Sequence, residues 1–130
     1  MDPVSVILGG LTAIGATIGD TLIKDGYDAL KALIVSKFGS ANPGLAKCMD
    51  DYVQDPKKKA EAEKAIREAG VADDKQIVEK LAALLKQVET VKPGASGGLV
   101  GQLVAVSSNI AVAEEVHGGI TFGSPPGTGN

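Results

Sequence analysis

Few residues of this 130-residue chain have the type and spacing that chemistry needs. Its one histidine, His117, is followed by Gly118 and Gly119 and has no partner nucleophile nearby, so it reads as a turn or solvent-facing residue. Cys48 is the only cysteine. It falls on the apolar side of a helical stripe, where a packed small side chain is expected rather than a nucleophile, and a lone cysteine supports neither an internal disulfide nor a zinc site. Asp50-Asp51 and Asp73-Asp74 lack ligand spacing and read as solvated or capping carboxylates. Lys57-Lys58-Lys59, followed by Glu61 and Glu63, reads as a solvated face. Gly9-Gly10 and Gly97-Gly98 are followed by no lysine–serine pair, as a phosphate loop requires. The sequence therefore predicts no enzyme, no cofactor and no metal, and attention moves to the elements.

Composition allows a small core. Hydrophobic residues make up 44% of the chain, but aromatics only 3%, and tryptophan is absent. A core of Leu, Ile, Val and Ala at this size is marginal. The net charge of −3 leaves no basic footprint, which argues against nucleic acid as a partner.

Helical signals run through the first ninety residues. Asp2-Pro3 reads as an N-cap with proline at the first helical position. Asp20 to Phe38 is amphipathic, with Ile23, Tyr27, Leu30, Leu33 and Ile34 inward, and Gly39 ends it. Asn42-Pro43 opens a third helix carrying Leu45, Cys48, Met49, Tyr52 and Val53. Asp55-Pro56 opens a fourth, which runs through Ala62, Ala65, Ile66 and Ala69 to Gly70. Asp73 or Asp74 caps a fifth, with Ile77, Val78, Leu81, Leu84, Leu85 and Val88 on one face. These signals predict an all-α fold over residues 1–90, a bundle of four to five helices.

The first helix is unusual. Pro3 to Gly19 is a run of seventeen residues without a charge. Val4, Ile7, Leu8, Leu11, Ile14 and Ile18 recur at helical spacing, and the other face is uncharged too. Such a helix is either fully buried or suited to lipid. The segment lacks the basic start of a secretory signal, and its length is at the lower limit for a bilayer span, about 17 residues. At rest it is expected to be the buried central helix of the bundle. The glycines raise a second expectation, because Gly15 and Gly19 form a small-xxx-small pattern that lets helices approach closely. Val4, Ile7, Leu8, Leu11, Ile14, Gly15, Ile18 and Gly19 are thus the candidate membrane-active face, released after oligomerisation.

Composition changes after Val91: the last forty residues hold three charged groups and nine glycines. Residues 91–102 read as a flexible Gly/Ser-rich linker, and residues 124–130 as a disordered tail. Between them the period becomes two, with Val104, Val106, Ile110, Val112, Val116, Ile120 and Phe122 all on even positions. Residues 103–123 therefore predict two or three short strands. Alone, such strands are hardly stable in water, so they need the helical domain or other chains. β-Branched alternation with low charge and no proline suits intermolecular cross-β stacking. Asn109 would add an amide ladder, the strands would break at Ser107-Ser108-Asn109 and around Glu114 to Gly119, and Glu114-Glu115 would have to lie at an exposed turn. A hairpin packed on the bundle is the alternative.

Met1-Asp2-Pro3, the uncharged Gly-containing helix, the small helical domain and the Gly-rich tail together resemble bacterial Bell-domain proteins, which are similar to HeLo-type cell-death executioners. The tail resembles bacterial amyloid signalling motifs likened to the RIP homotypic interaction motif. Ile120-Thr121-Phe122-Gly123 matches that motif's pattern, with Thr121 in place of glutamine and Phe122 in place of an aliphatic residue. Asn109-Ile110-Ala111-Val112 and Val116-His117-Gly118-Gly119 fit the looser bacterial pattern. The resemblance implies a relay. A nucleotide-binding, NLR-like receptor with a matching motif nucleates the tail, the chain forms a homo-oligomer, and the helical domain moves from the cytoplasm to permeabilise the inner membrane. The rival implication is a soluble helical adaptor that recruits a separate effector through the same tail.

Overall fold

The computed structural model describes residues 2–119, and side-chain surroundings as far as Ile110. Six α-helices follow one another: α1 Pro3–Thr17, α2 Thr21–Phe38, α3 Leu45–Gln54, α4 Lys59–Ala69, α5 Lys75–Val91 and α6 Leu99–Gly119. Short 3₁₀ turns, Pro56–Lys58 and Val71–Asp73, precede α4 and α5.

The starts follow local chemistry. Asp2 accepts a hydrogen bond from the Val4 amide with Pro3 behind it, and Asp20 accepts from the Leu22 and Ile23 amides. Asp55 accepts from the Lys57 amide and Asp74 from the Ile77 amide. Each such cap is worth about 1 kcal/mol. The third helix begins two residues later than Asn42-Pro43 suggests, at Leu45, with Gly44 before it and no side-chain cap.

Helix α1 is the centre of the bundle, in contact with α3, α4, α5 and α6. Leu8, Leu11 and Ile14 are almost wholly buried, and Val4, Val6, Ile7 and Ala13 nearly so. Only Ser5, Thr12 and Ala16 of this helix are exposed, along one narrow strip. The uncharged circumference thus has a place inside the protein's own core. Around it pack Ile23, Leu30 and Ile34 of α2, Leu45 and Met49 of α3, Ile66 of α4, and Ile77, Leu81 and Leu85 of α5.

The C-terminal segment departs from its expectation. Residues 99–119 are helical, where a linker was expected up to 102 and strands from 103 onward. Leu103 and Val106 are fully buried, with Leu99, Val100 and Ile110 partly so, and α6 lies on α5 and α1. Each fully buried aliphatic is worth about 1.5–3 kcal/mol. The reason for the departure is that a lone strand leaves its backbone groups unpaired, whereas a helix pairs them internally. No proline interrupts residues 94–119, so the helical alternative is open. Its buried face, Leu99, Leu103, Val106 and Ile110, is spaced at helical intervals that the even-number alternation overlays. Of the expected strand positions, Val104 is half exposed on this helix, Asn109 is exposed, and Val112, Val116, Gly118 and Gly119 lie along its last turns. Ile120, Phe122 and Gly123, and the tail 124–130, lie outside the described residues.

The stretch before α6 is an ordered turn. Gly94 and Gly97 have φ of +89° and +54°, in the left-handed region where glycine is favoured. Hydrogen bonds from the Ala95 amide to the Lys92 carbonyl and from the Leu99 amide to the Ser96 carbonyl close it.

Candidate functional site

Two places carry the residues singled out in the sequence: the central helix and the C-terminal helix with its turn. On α1, Val4, Ile7, Leu8, Leu11 and Ile14 all point into the core, Gly15 and Ile18 are half-buried, and Gly19 is exposed in the turn that follows. The glycines have different local roles. A β-carbon at Gly15 would meet the backbone oxygen of Val53, and one at Gly10 would crowd the Leu85 side chain, while Gly19 faces open space. Close approach at Gly15 is therefore between α1 and α3 of the same chain.

Polar groups tie α1 to its neighbours at both levels. The Thr12 hydroxyl lies 2.7 Å from the Tyr52 hydroxyl of α3. At the N-terminus, Arg67 of α4 donates to Asp2 at 3.0 Å and to Glu63 at 2.8 Å. The guanidinium hydrogen bond holds the Asp2 carboxyl below its ordinary value, and the two carboxylates hold Arg67 above its own. The pair is exposed, so its contribution to stability is small. Between α2 and α3, Tyr27 donates to Asp50 at 2.7 Å and Lys31 pairs with the same carboxylate at 3.1 Å. Burial, then the neighbouring Asp50, raises the Tyr27 phenol.

The turn into α6 is built on Glu89, which the sequence reading passed over. Its carboxylate accepts from the Gly94 amide at 3.0 Å, from the Ser96 amide at 2.9 Å and from the Ser96 hydroxyl. These bonds, the Ser96 hydroxyl first, lower the Glu89 carboxyl below its ordinary range. Ser96 itself is only 1% exposed. One signal was available: Glu89 sits in the last turn of α5, where the helix dipole disfavours an acid. Further along, the Ser107 hydroxyl donates to Glu79 at 3.3 Å.

A shallow cavity of about 380 Å³ opens between α5 and α6, with Ala82, Ala83, Leu103 and Val104 on its walls and Lys75 and Lys86 at its rim. Among the described residues no three His, Cys, Asp or Glu side chains converge as a metal site requires. Cys48 is half-buried on α3, and Lys57, Lys58 and Lys59 are exposed. No helix among the described residues is long and apolar enough to cross a membrane.

No curated protein and no solved structure matches the chain. A family model does: residues 1–124 match the Het-E N-terminal domain, a helical domain linked to heterokaryon incompatibility and to HeLo domains of the cell-death type. The match runs from the cap at Asp2 through all six helices, and by it the chain belongs to the Het-E N-terminal domain family.

Proposed function

We propose that this protein is a cell-death effector of a bacterial defence pathway, switched on by templated assembly of its C-terminal segment. A receptor of the NLR-like class with a matching motif nucleates residues 103–123 as a cross-β stack. Copies of the helical domain are thereby clustered, leave the cytoplasm and permeabilise the inner membrane. The observation that carries this reading is α1, a fifteen-residue helix without a charge, stored at the centre of the bundle. At about 1.5 Å per residue it is about 22 Å long, short of the roughly 30 Å hydrocarbon core. Its action is therefore to enter and thin one side of the bilayer in several copies, not to span it singly.

A second reading, a soluble adaptor that recruits another effector through the same segment, draws support from the packing of α1. Burial of Leu8, Leu11 and Ile14, and the close approach of Gly15 to Val53, account for the composition of α1 without lipid. Release of dye from liposomes separates the two. Full-length protein, seeded with fibrils of a 103–123 peptide, should empty vesicles if it is an effector. Assembly without release in every lipid mixture tried would leave the adaptor.

A further inference from the structure

We propose that α6 is a separately opening strap, held on α5 by two glutamates, and that it undocks while α1–α5 stay folded. This deepens the effector reading, on which its biological consequence rests.

The polar attachment is concentrated at few points. Glu89 gathers the Gly94 amide, the Ser96 amide and the Ser96 hydroxyl, so one carboxylate fixes the turn from which α6 departs. Two left-handed glycines, Gly94 and Gly97, flank Ser96. Without the carboxylate to hold it, such a turn has many conformations to occupy. The second tie, from Ser107 to Glu79, is long at 3.3 Å.

The apolar seam runs along both α5 and α1. Leu103 and Val106 are the fully buried aliphatics of α6 among the described residues, and Leu99 rests on Gly9 of α1, where there is no side chain to interlock. Val104 is 50% exposed beside the cavity between α5 and α6. Leu103 and Val106 belong to the same buried cluster as the Leu and Ile side chains of α1 to α5. Helix α6 is nevertheless joined to the other helices through one glycine-flanked turn, and a unit so joined can open at lower free energy than the whole fold.

The same segment also satisfies a second structure. Val106 and Ile110 belong both to the buried helical face and to the period-two pattern, in which Val104 and Val112 join them. Two packings of one sequence are the ingredients of a switch. When the strap is off, the backbone of residues 103–119 is free to pair with another copy, and the face of α1 and α5 beneath Leu99 and Leu103 is bared.

Native-state hydrogen exchange on the unseeded full-length protein, without lipid, tests this directly. In Glu89→Gln and Ser96→Ala, amides of residues 99–110 should exchange about tenfold faster, with those of α1 and α5 changed by less than about twofold. Unchanged exchange in α6 would overturn the proposal. So would equal acceleration in α1 and α6, which would make the bundle one cooperative unit. Because neither membrane nor seed is present, a failure of vesicle release leaves this result untouched, and the strap and the effector reading fail separately.

Discussion

The backbone oxygen of Val53 stands where a β-carbon on Gly15 would come to 2.5 Å, so α1 and α3 meet there backbone against side-chain-free backbone. No flexible group is present to move aside. Gly15→Ala should therefore destabilise the fold by about 1–3 kcal/mol, as overpacking does. Gly19→Ala, facing open space, should stay within about 0.5 kcal/mol of the parent. Urea unfolding of the two variants checks the contrast. Equal midpoints would mean that the approach of α1 to α3 is looser in solution.

Acid should loosen the turn before α6. Asp2 and Glu89 both titrate below their ordinary values of 3.8 and 4.5 in the fold. On acidification the unfolded chain takes up these protons first. The contribution of the two carboxylates is thus complete above the ordinary values and fades as pH falls through the lower, folded ones. Glu89→Gln should flatten the fall of the urea midpoint as pH drops below about 4.5. A variant with the parent's slope would remove Glu89 from the acid response.

Alkali should act through Tyr27. Its phenol is raised above the ordinary 10.0 by burial and by Asp50. Stability from the protonated phenol is complete below that value and is lost as pH rises beyond it, where the unfolded chain ionises first. Of the chain's two tyrosines, Tyr27 should resist ionisation until the bundle unfolds, as followed by ultraviolet absorbance of the phenolate. Ionisation of Tyr27 near 10 in the folded protein would contradict the part-buried Tyr27–Asp50 bond.

Removal of the strap should weaken the bundle without abolishing it. Residues 1–98 lose the partners Leu103 and Val106, about 1.5–3 kcal/mol each, while every cap and stripe of α1 to α5 remains. Circular dichroism should show a retained helical spectrum with a lower melting temperature. A spectrum without helix would make α6 indispensable to the core.

Assembly should depend on the period-two positions. A 103–123 peptide is expected to form fibrils with cross-β diffraction, and Val112→Asp or Ile120→Asp to prevent them, because a lone charge in a dry zipper has no partner. A peptide that stays monomeric at high micromolar concentration after seeding would end the templating proposal.

The helical part of the fold is legible in the sequence because independent signals coincide there. Asp2-Pro3, Asp20, Asp55-Pro56 and Asp74 mark starts, and the apolar period of α5 has no competing interpretation. The burial of α1 was also within reach, since a helix without charge has nowhere to go in a monomer but the core. The C-terminal helix was not legible, for a physical reason. Leu99 to Val116 is apolar or small on nearly every side, so periods of 2 and 3.6 both find matches, and the glycines before it masked its first turn. Burial of Leu103 against α5 depends on a surface at least twelve residues away, which no local pattern reports. The Glu89 tie escaped for the same reason, apart from its unfavourable place near a helix C-terminus.

On the templating proposal Val106 and Ile110 serve two structures at once, and inheritance cannot treat them as two settings. On that proposal any substitution there that favours stacking also alters how firmly α6 is packed on the bundle. Val104, half in water at rest, is under no such bond. A change at that position alters the proposed stacking face while the buried helical contacts are left as they were.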